Sequence, residues 1–267
     1  MFYKSPGPVQ VYGDLGNIIL TRYNKLMMVN QGNPWDSLGR KTFNTNLQEG
    51  EIDPRVADNV LIAWPVIFGA ISKEVDVLTG RALDFGCGTG AFCIALQKLG
   101  FSVTGIDPSE EMIRIAKQNS PATVTYVKGD YSVAENGYKV ISSIMVFQFI
   151  RDIETVFSVL IKSLSPGGIL IFAVHNPDWV SECLKQGIGF SGFDSVINPT
   201  SGMKDFGDIH IPVFIRRSSE FDSLAAKYGL KKFLEAYPPF TQEFIEKYPD
   251  NRPKNIPEFL ILGYKKD

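Results

Sequence analysis

The run Leu83-Asp84-Phe85-Gly86-Cys87-Gly88-Thr89-Gly90-Ala91 constrains the fold more than any other part of this chain. An apolar stretch at 82–85 reads as a strand, three glycines follow at alternate positions, and residues 91–99 have helical periodicity. A chain that passes from strand to helix within so few residues needs backbone conformations that glycine adopts freely, and the new helix leaves N–H groups unpaired at its start. In an open α/β sheet such a turn lies beyond the carboxyl end of its strand, where ligands bind. The glycines alone do not choose the ligand, because Gly86, Gly88 and Ala91 also satisfy the dinucleotide pattern G-x-G-x-x-G/A. Asp84 argues against a dinucleotide, since a carboxylate just before the turn repels a pyrophosphate and attracts a cationic ligand. An aspartate that merely caps the turn is the alternative reading.

The segments that follow keep alternating. Strands are expected at 82–85, 102–106, 123–127, 140–146 and 169–174, with helices at 91–99, 110–118 and 153–164 between them. Strands separated by helices of about ten residues predict a mostly parallel, doubly wound α/β sheet with helices on both faces. Two later β-like stretches, 230–236 and 258–264, follow a helix near 219–228 and predict a seven-stranded sheet with a closing antiparallel strand. Residues 1–80 read as an N-terminal helical cap, with helices near 17–29 and 57–78 and a long loop at 31–53, and 81–267 as the main domain. Residues 186–217 are rich in glycine and aromatics, with one apolar run at 211–215, and are expected to form an inserted lid.

Asp107 ends the second strand, where an acidic side chain can accept hydrogen bonds from a ribose or cap the next helix, and the two roles are compatible. Gly129-Asp130-Tyr131 follows the third strand, where a polar group can meet an adenine amino group and an aromatic can stack on the base; a plain Gly-Asp turn is the alternative. In order and spacing, Asp84 to Gly90, then Gly105-Ile106-Asp107-Pro108-Ser109 with Met112, then Gly129-Asp130, and finally Leu164-Ser165-Pro166-Gly167-Gly168, the chain resembles the class I S-adenosylmethionine-dependent methyltransferases over residues 81–176. S-adenosylmethionine carries an ammonium and a sulfonium and no phosphate, which suits Asp84. The resemblance implies that Gly86, Cys87, Gly88 and Gly90 cradle the methionine portion, with Asp84 near its amino group and Met145 beside it. It further implies that Asp107 holds the ribose, that Pro108, Ser109 and Met112 line the adenine, and that Asp130 and Tyr131 meet the base. The chain departs from many relatives in having Tyr138-Lys139 where they have Phe-Asp, and Gln148 where some have His.

Methyl transfer from a sulfonium imposes no obligatory catalytic motif, because the donor brings its own leaving group and the protein chiefly aligns the acceptor and excludes water. The acceptor-side candidates are therefore positional. His175, at the end of the fifth strand of the alternation, is the candidate base or orienting group, with His210 in the lid as a second. Tyr12, Tyr23 and Trp35 belong to a segment that could close over the ligands, and Arg216 could bind an anionic acceptor. Phe190, Phe193 and Phe206 either line an acceptor pocket or anchor the inserted loop.

A formal net charge of −2, with basic pairs scattered at 216–217, 231–232 and 265–266, lacks the basic stripe of a nucleic-acid binder. No apolar run reaches membrane-spanning length, no secretion signal is evident, and the three cysteines (Cys87, Cys93, Cys183) fit neither a disulfide framework nor a metal site. The expectation is a cytoplasmic enzyme methylating an O, N or C nucleophile of a small molecule, without metal, membrane insertion or nucleic acid. A non-catalytic scaffold of the same fold, or another reaction of the same cofactor, is the alternative.

Overall fold

The strand Leu164–His175 (β5) is apolar at successive positions, as a strand buried on both faces must be. Ile169, Ile171 and Ala173 enter one core cluster, whereas Leu170, Phe172 and Val174 enter a second on the opposite face. Around β5 the computed structural model, which describes residues 33–42, 52–75 and 79–267, arranges seven strands. They are Arg81–Phe85 (β1), Ser102–Asp107 (β2), Thr125–Lys128 (β3), Tyr138–Ile144 (β4), β5 itself, Leu230–Ala236 (β9) and Phe259–Lys266 (β10), in the spatial order β3-β2-β1-β4-β5-β10-β9. Only β10 runs against its neighbours, pairing antiparallel with both β5 and β9. The strand order reverses between β1 and β4, which places a crevice at their carboxyl ends.

The first core face is covered by Trp64–Glu74 (α2), Ala91–Lys98 (α3) and Glu110–Asn119 (α4), with Phe92 of α3 packed between Trp64 and Phe68 at centroid distances of 5.1 and 4.9 Å. The second is covered by Ile153–Ser163 (α5) and Ser218–Lys227 (α7). A short π-helical turn, Asn59–Ala63, leads into α2. No helix among the described residues is long and apolar enough to cross a membrane.

Several elements depart from the expectations. The expected loop at 31–53 contains a helix, Pro34–Thr42 (α1), which starts at a proline and carries Asp36 in its first turn, both normal start signals. The remainder of that loop, the expected helix at 17–29, Tyr12 and Tyr23 lie outside the described residues. The inserted region is not loop-like: Phe190–Ser191 (β6), Ser201–Phe206 (β7) and Ile209–Phe214 (β8) form a separate antiparallel sheet. All six residues of β7 are half-buried and four are glycine or polar, so the alternation that reveals a strand is absent there. Finally, Pro177–Gln186 (α6), capped by Asn176, fills the connection between β5 and this sheet, and Gln242–Lys247 (α8) precedes β10.

Candidate active site at the carboxyl ends of the strands

The glycine turn is tied to β2 as well as to β1. Gly86 and Cys87 N–H groups donate to Ile106 O at 2.7 and 3.0 Å, and Gly88 N–H donates to Asp107 Oδ2 at 3.0 Å. Gly86 has φ 77°, and a Cβ there would stand 2.2 Å from Val146 Cγ2, so the end of β4 closes on bare backbone. At Gly88, by contrast, an added Cβ would meet nothing within 4 Å, which leaves open space on that side of the turn. Gly90 begins α3 in the left-handed conformation without a side-chain cap.

Asp84 lies beneath the turn, 2% exposed, with Ser142 Oγ donating to Oδ1 at 2.7 Å and Cys93 Sγ 3.6 Å from Oδ2. Burial pushes its carboxyl up to about 6, against the two hydrogen bonds that favour the charge. Its side chain points from the strand toward α3, into the first core face, beneath the glycine turn. Asp107 is 7% exposed, and its Oδ1 accepts Ser109 N–H at 2.9 Å. Asp107 is not the cap of α4; Ser109 is, through Met112 N–H donating to its Oγ at 3.1 Å.

Helix α1 takes over part of the surface assigned to adenine. Ser109 Oγ donates to Asp36 Oδ1 at 2.5 Å, Glu111 N–H donates to the same oxygen at 3.1 Å, and Asn33 Nδ2 donates to Pro108 O at 3.2 Å. Met112 is buried with Leu38 and Ile211. Ser109 and Met112 are docking points for α1, and Pro108 remains exposed. Asp130 is exposed and caps the following 3₁₀ turn through Ser132 N–H at 2.8 Å; the Ser132 hydroxyl and then this N–H hold its carboxyl below the ordinary range, while Tyr131 is half-buried against the second core face.

At the end of β4, Met145 holds φ 58°, a strained conformation for a side chain of its size. Gln148 Nε2 lies 3.8 Å from its Sδ, and Gln148 Oε1 is buried with no hydrogen-bond partner. At the end of β5, His175 is 4% exposed, stacked on Trp179 at 5.3 Å and met edge-on by Phe190 at 5.5 Å. Its Nδ1 has no hydrogen-bond partner, although Glu258 Oε1 stands 3.8 Å away. Burial, followed by the charges of Lys204 and Arg252, drives the imidazole well below its usual range, so it is neutral and a weak base.

The remaining acceptor-side expectations divide. Trp35 packs edge-on against Phe149 at 4.8 Å and meets Phe206 at 6.4 Å, so α1 and the inserted sheet touch above the end of β4. Phe190 and Phe193 pack at 5.8 Å in the cluster around Trp179 and anchor the insertion. Arg216 is not available to a ligand: its guanidinium donates to the carbonyls of Phe147, Ile150 and Arg151 at 3.1, 2.7 and 2.9 Å. The apolar run before it delivers the side chain under the 3₁₀ turn 147–149. His210 is bound to Asp205 at 2.5 Å on the exposed hairpin of the insertion. Cys87, Cys93 and Cys183 are free and buried. No group of three or more His, Cys, Asp or Glu able to hold a metal occurs among the described residues.

Lys204, Glu258 and Gln148 were not singled out by sequence as site residues. No local pattern marks them, since each reaches the strand ends from a different segment. A cavity of about 400 Å³ lined by Asn176, Asp178, Arg217 and Tyr237 lies between the starts of α6 and α7 and includes no residue of the glycine turn.

Residues 55–233 match a family described as methyltransferase domain. A ubiquinone biosynthesis O-methyltransferase of Rhizobium etli is 33% identical over 118 residues, covering 41% of this chain and 47% of that protein. One of Rhodopseudomonas palustris is 28% identical over 189 residues, covering 68% and 70%. The chain thus spans about half the length of the first curated relatives it matches, at 45%, 47% and 46% of theirs. Among solved structures, an S-adenosylmethionine dependent methyltransferase from Mesorhizobium loti superimposes with a TM-score of 0.60 at 20% identity, covering 76% of this chain and 97% of that one. A DhpI-SAM-HEP complex gives 0.56 at 14% identity, covering 97% and 100%.

Proposed function

Because this chain belongs to the methyltransferase-domain family, we propose that it transfers a methyl group from S-adenosylmethionine to an O, N or C nucleophile of a small molecule. The observation that carries this reading is the junction of Gly88 N–H with Asp107 Oδ2, which brings the turn after β1 and the acidic end of β2 into one open-sided cradle. The donor set fits the cofactor: unpaired N–H groups at the start of α3 suit a carboxylate, Asp107 suits vicinal hydroxyls, and no phosphate has to be accommodated beside Asp84. Gly86, Cys87, Gly88 and Gly90 would hold the methionine portion, Asp107 the ribose, and Pro108, Asp130 and Tyr131 the base.

When bound, S-adenosylmethionine supplies an electrophilic methyl group on a sulfonium that carries its own leaving group. The chain's residues then have three tasks. Met145, fixed in its strained conformation, and Gln148 beside it shape the floor where the acceptor approaches. Helix α1 and the inserted sheet, joined at Trp35 and Phe206, exclude water above that floor. His175, neutral and sealed among aromatics, suits orientation of an acceptor by a hydrogen bond better than removal of its proton.

Calorimetric titration with S-adenosylmethionine and, separately, NAD tests the reading. Saturable binding of the first alone, followed by radiolabel transfer to members of a small-acceptor panel, supports it; binding of NAD alone refutes it.

A further inference from the structure

The inserted sheet carries one cation inward. The Nζ of Lys204 on β7 lies 4.1 Å from the centroid of the Phe190 ring, 5.7 Å from that of Phe206 and 5.9 Å from that of Trp179. Among the described residues this ammonium has no hydrogen bond and no carboxylate within 4.0 Å; it packs on the three ring faces and beside Gly189, where an added Cβ would stand 3.0 Å from Nζ. Burial holds it below the ordinary lysine range. Aromatic faces compensate an ammonium only in part, so a half-buried cation with no hydrogen-bond acceptor gains when an anionic partner arrives to meet it.

A second group with an unpartnered polar atom adjoins the same ring. Phe190 is the shared wall: it packs on Lys204 Nζ and, at 5.5 Å, on the ring of His175, whose buried Nδ1 is without a partner. The acidic group nearest to hand is already taken. Glu258 Oε2 accepts from Arg252 Nη1 at 3.2 Å, and the same nitrogen donates to Asp58 Oδ2 at 2.6 Å. Burial pushes the Glu258 carboxyl up, and although its charge is the largest one favouring the Lys204 ammonium, no carboxylate lies within 4.0 Å of Nζ among the described residues. The location is functional: Phe206, two residues after Lys204, meets Phe149 at 6.5 Å and Trp35 at 6.4 Å, so Lys204 stands between the end of β5 and the roof over the end of β4.

We infer that Lys204 anchors an oxyanion, a carboxylate or phosphonate, carried by the methyl acceptor, with the His175 ring and Phe190 forming the adjoining wall. This rests on the methyltransferase reading above and narrows its substrate to anionic small molecules. Arg216, the residue type sequence would choose for such a task, is committed to backbone carbonyls, whereas Lys204 has no such acceptors.

The test is a titration of the S-adenosylhomocysteine-loaded protein, followed by saturation-transfer NMR, with 4-hydroxybenzoate, 4-hydroxyphenylphosphonate and the neutral isostere 4-hydroxybenzamide. The expected result is that at least one anion binds about tenfold or more tightly than the amide. Lys204→Met should abolish that preference and Lys204→Arg retain it, with S-adenosylhomocysteine affinity unchanged in both. Equal binding of acids and amide, no binding of any of the three, or an anion preference that survives in Lys204→Met overturns the inference. The wild-type comparison stands even if a variant does not fold. Loss of S-adenosylhomocysteine binding by the wild type is a different outcome, and it refutes the methyltransferase reading itself.

Discussion

The N–H of Gly88 donates to Asp107 Oδ2 at 3.0 Å, so the carboxylate at the end of β2 holds the turn at the end of β1 in shape. Its other oxygen accepts Ser109 N–H at 2.9 Å, which ties the same group to the start of α4. Asp107→Ala should weaken S-adenosylmethionine binding by about 10- to 100-fold, because hydrogen bonds to a charged group contribute about 1.5–3 kcal/mol. Asp107→Asn should retain part of the affinity. Calorimetry reads both, and unchanged affinity in the alanine variant would remove Asp107 from the cradle.

Gly86→Ala should destabilise the fold by about 2–4 kcal/mol, from a left-handed conformation and a forced contact in a packed interior. The contact is with Val146, 2.2 Å from the added carbon. Denaturant midpoints of Gly86→Ala and of Gly86→Ala with Val146→Ala check the cause: the second change should restore part of the loss.

Asp84 gives stability a pH dependence. Its carboxyl ordinarily titrates at 3.8 and burial raises it to about 6, so between these values the folded chain keeps a proton that the unfolded chain releases. Stability therefore falls as pH rises through that window, by about 3 kcal/mol in total. Asp84→Asn lacks this titration and should gain on the wild type between pH 4 and 7 in urea unfolding. A constant difference across that range would mean that the carboxyl is not shifted.

Arg216→Met should cost about 2–4 kcal/mol, since three carbonyls would lose a charged donor in a partly buried place. Acceptor KM in the folded fraction should be unchanged. A KM that rises without loss of stability would return Arg216 to the substrate site.

Trp35→Ala should loosen α1 from the inserted sheet, because Trp35 supplies the contacts to Phe149 and Phe206. Amide hydrogen exchange in residues 34–42 should quicken, and turnover should fall more than S-adenosylmethionine affinity. Exchange that is unaltered would show that Asp36 and Leu38 suffice to dock the helix.

The parallel sheet was legible because each of its parts carries its own signal. Residues 169–174 are an apolar run that follows Gly167-Gly168, residues 82–85 lead directly into the glycine turn, and the helices between them bear caps or a periodic apolar face. The inserted sheet was hidden because β7, with glycine, lysine and aspartate among its half-buried residues, has no alternation to read. Helix α1 was hidden by its surroundings of Gly, Asn and Pro, though Pro34 and Asp36 were available as start signals.

Sequence by itself determined the strand-turn-helix at 82–99, the acidic strand end at Asp107 and so the cofactor class, because these depend on backbone conformation and charge within a few consecutive residues. Only the tertiary structure decided which candidates face the site. It turned Asp84 under the turn toward Ser142, spent Arg216 on the carbonyls of 147, 150 and 151, and gave Ser109 and Met112 to α1. It also brought Lys204, His175 and Phe190 together from three separate segments. The physical reason is that a polar side chain serves whichever partners packing places within hydrogen-bond reach, and those partners are set by contacts between residues far apart in the chain.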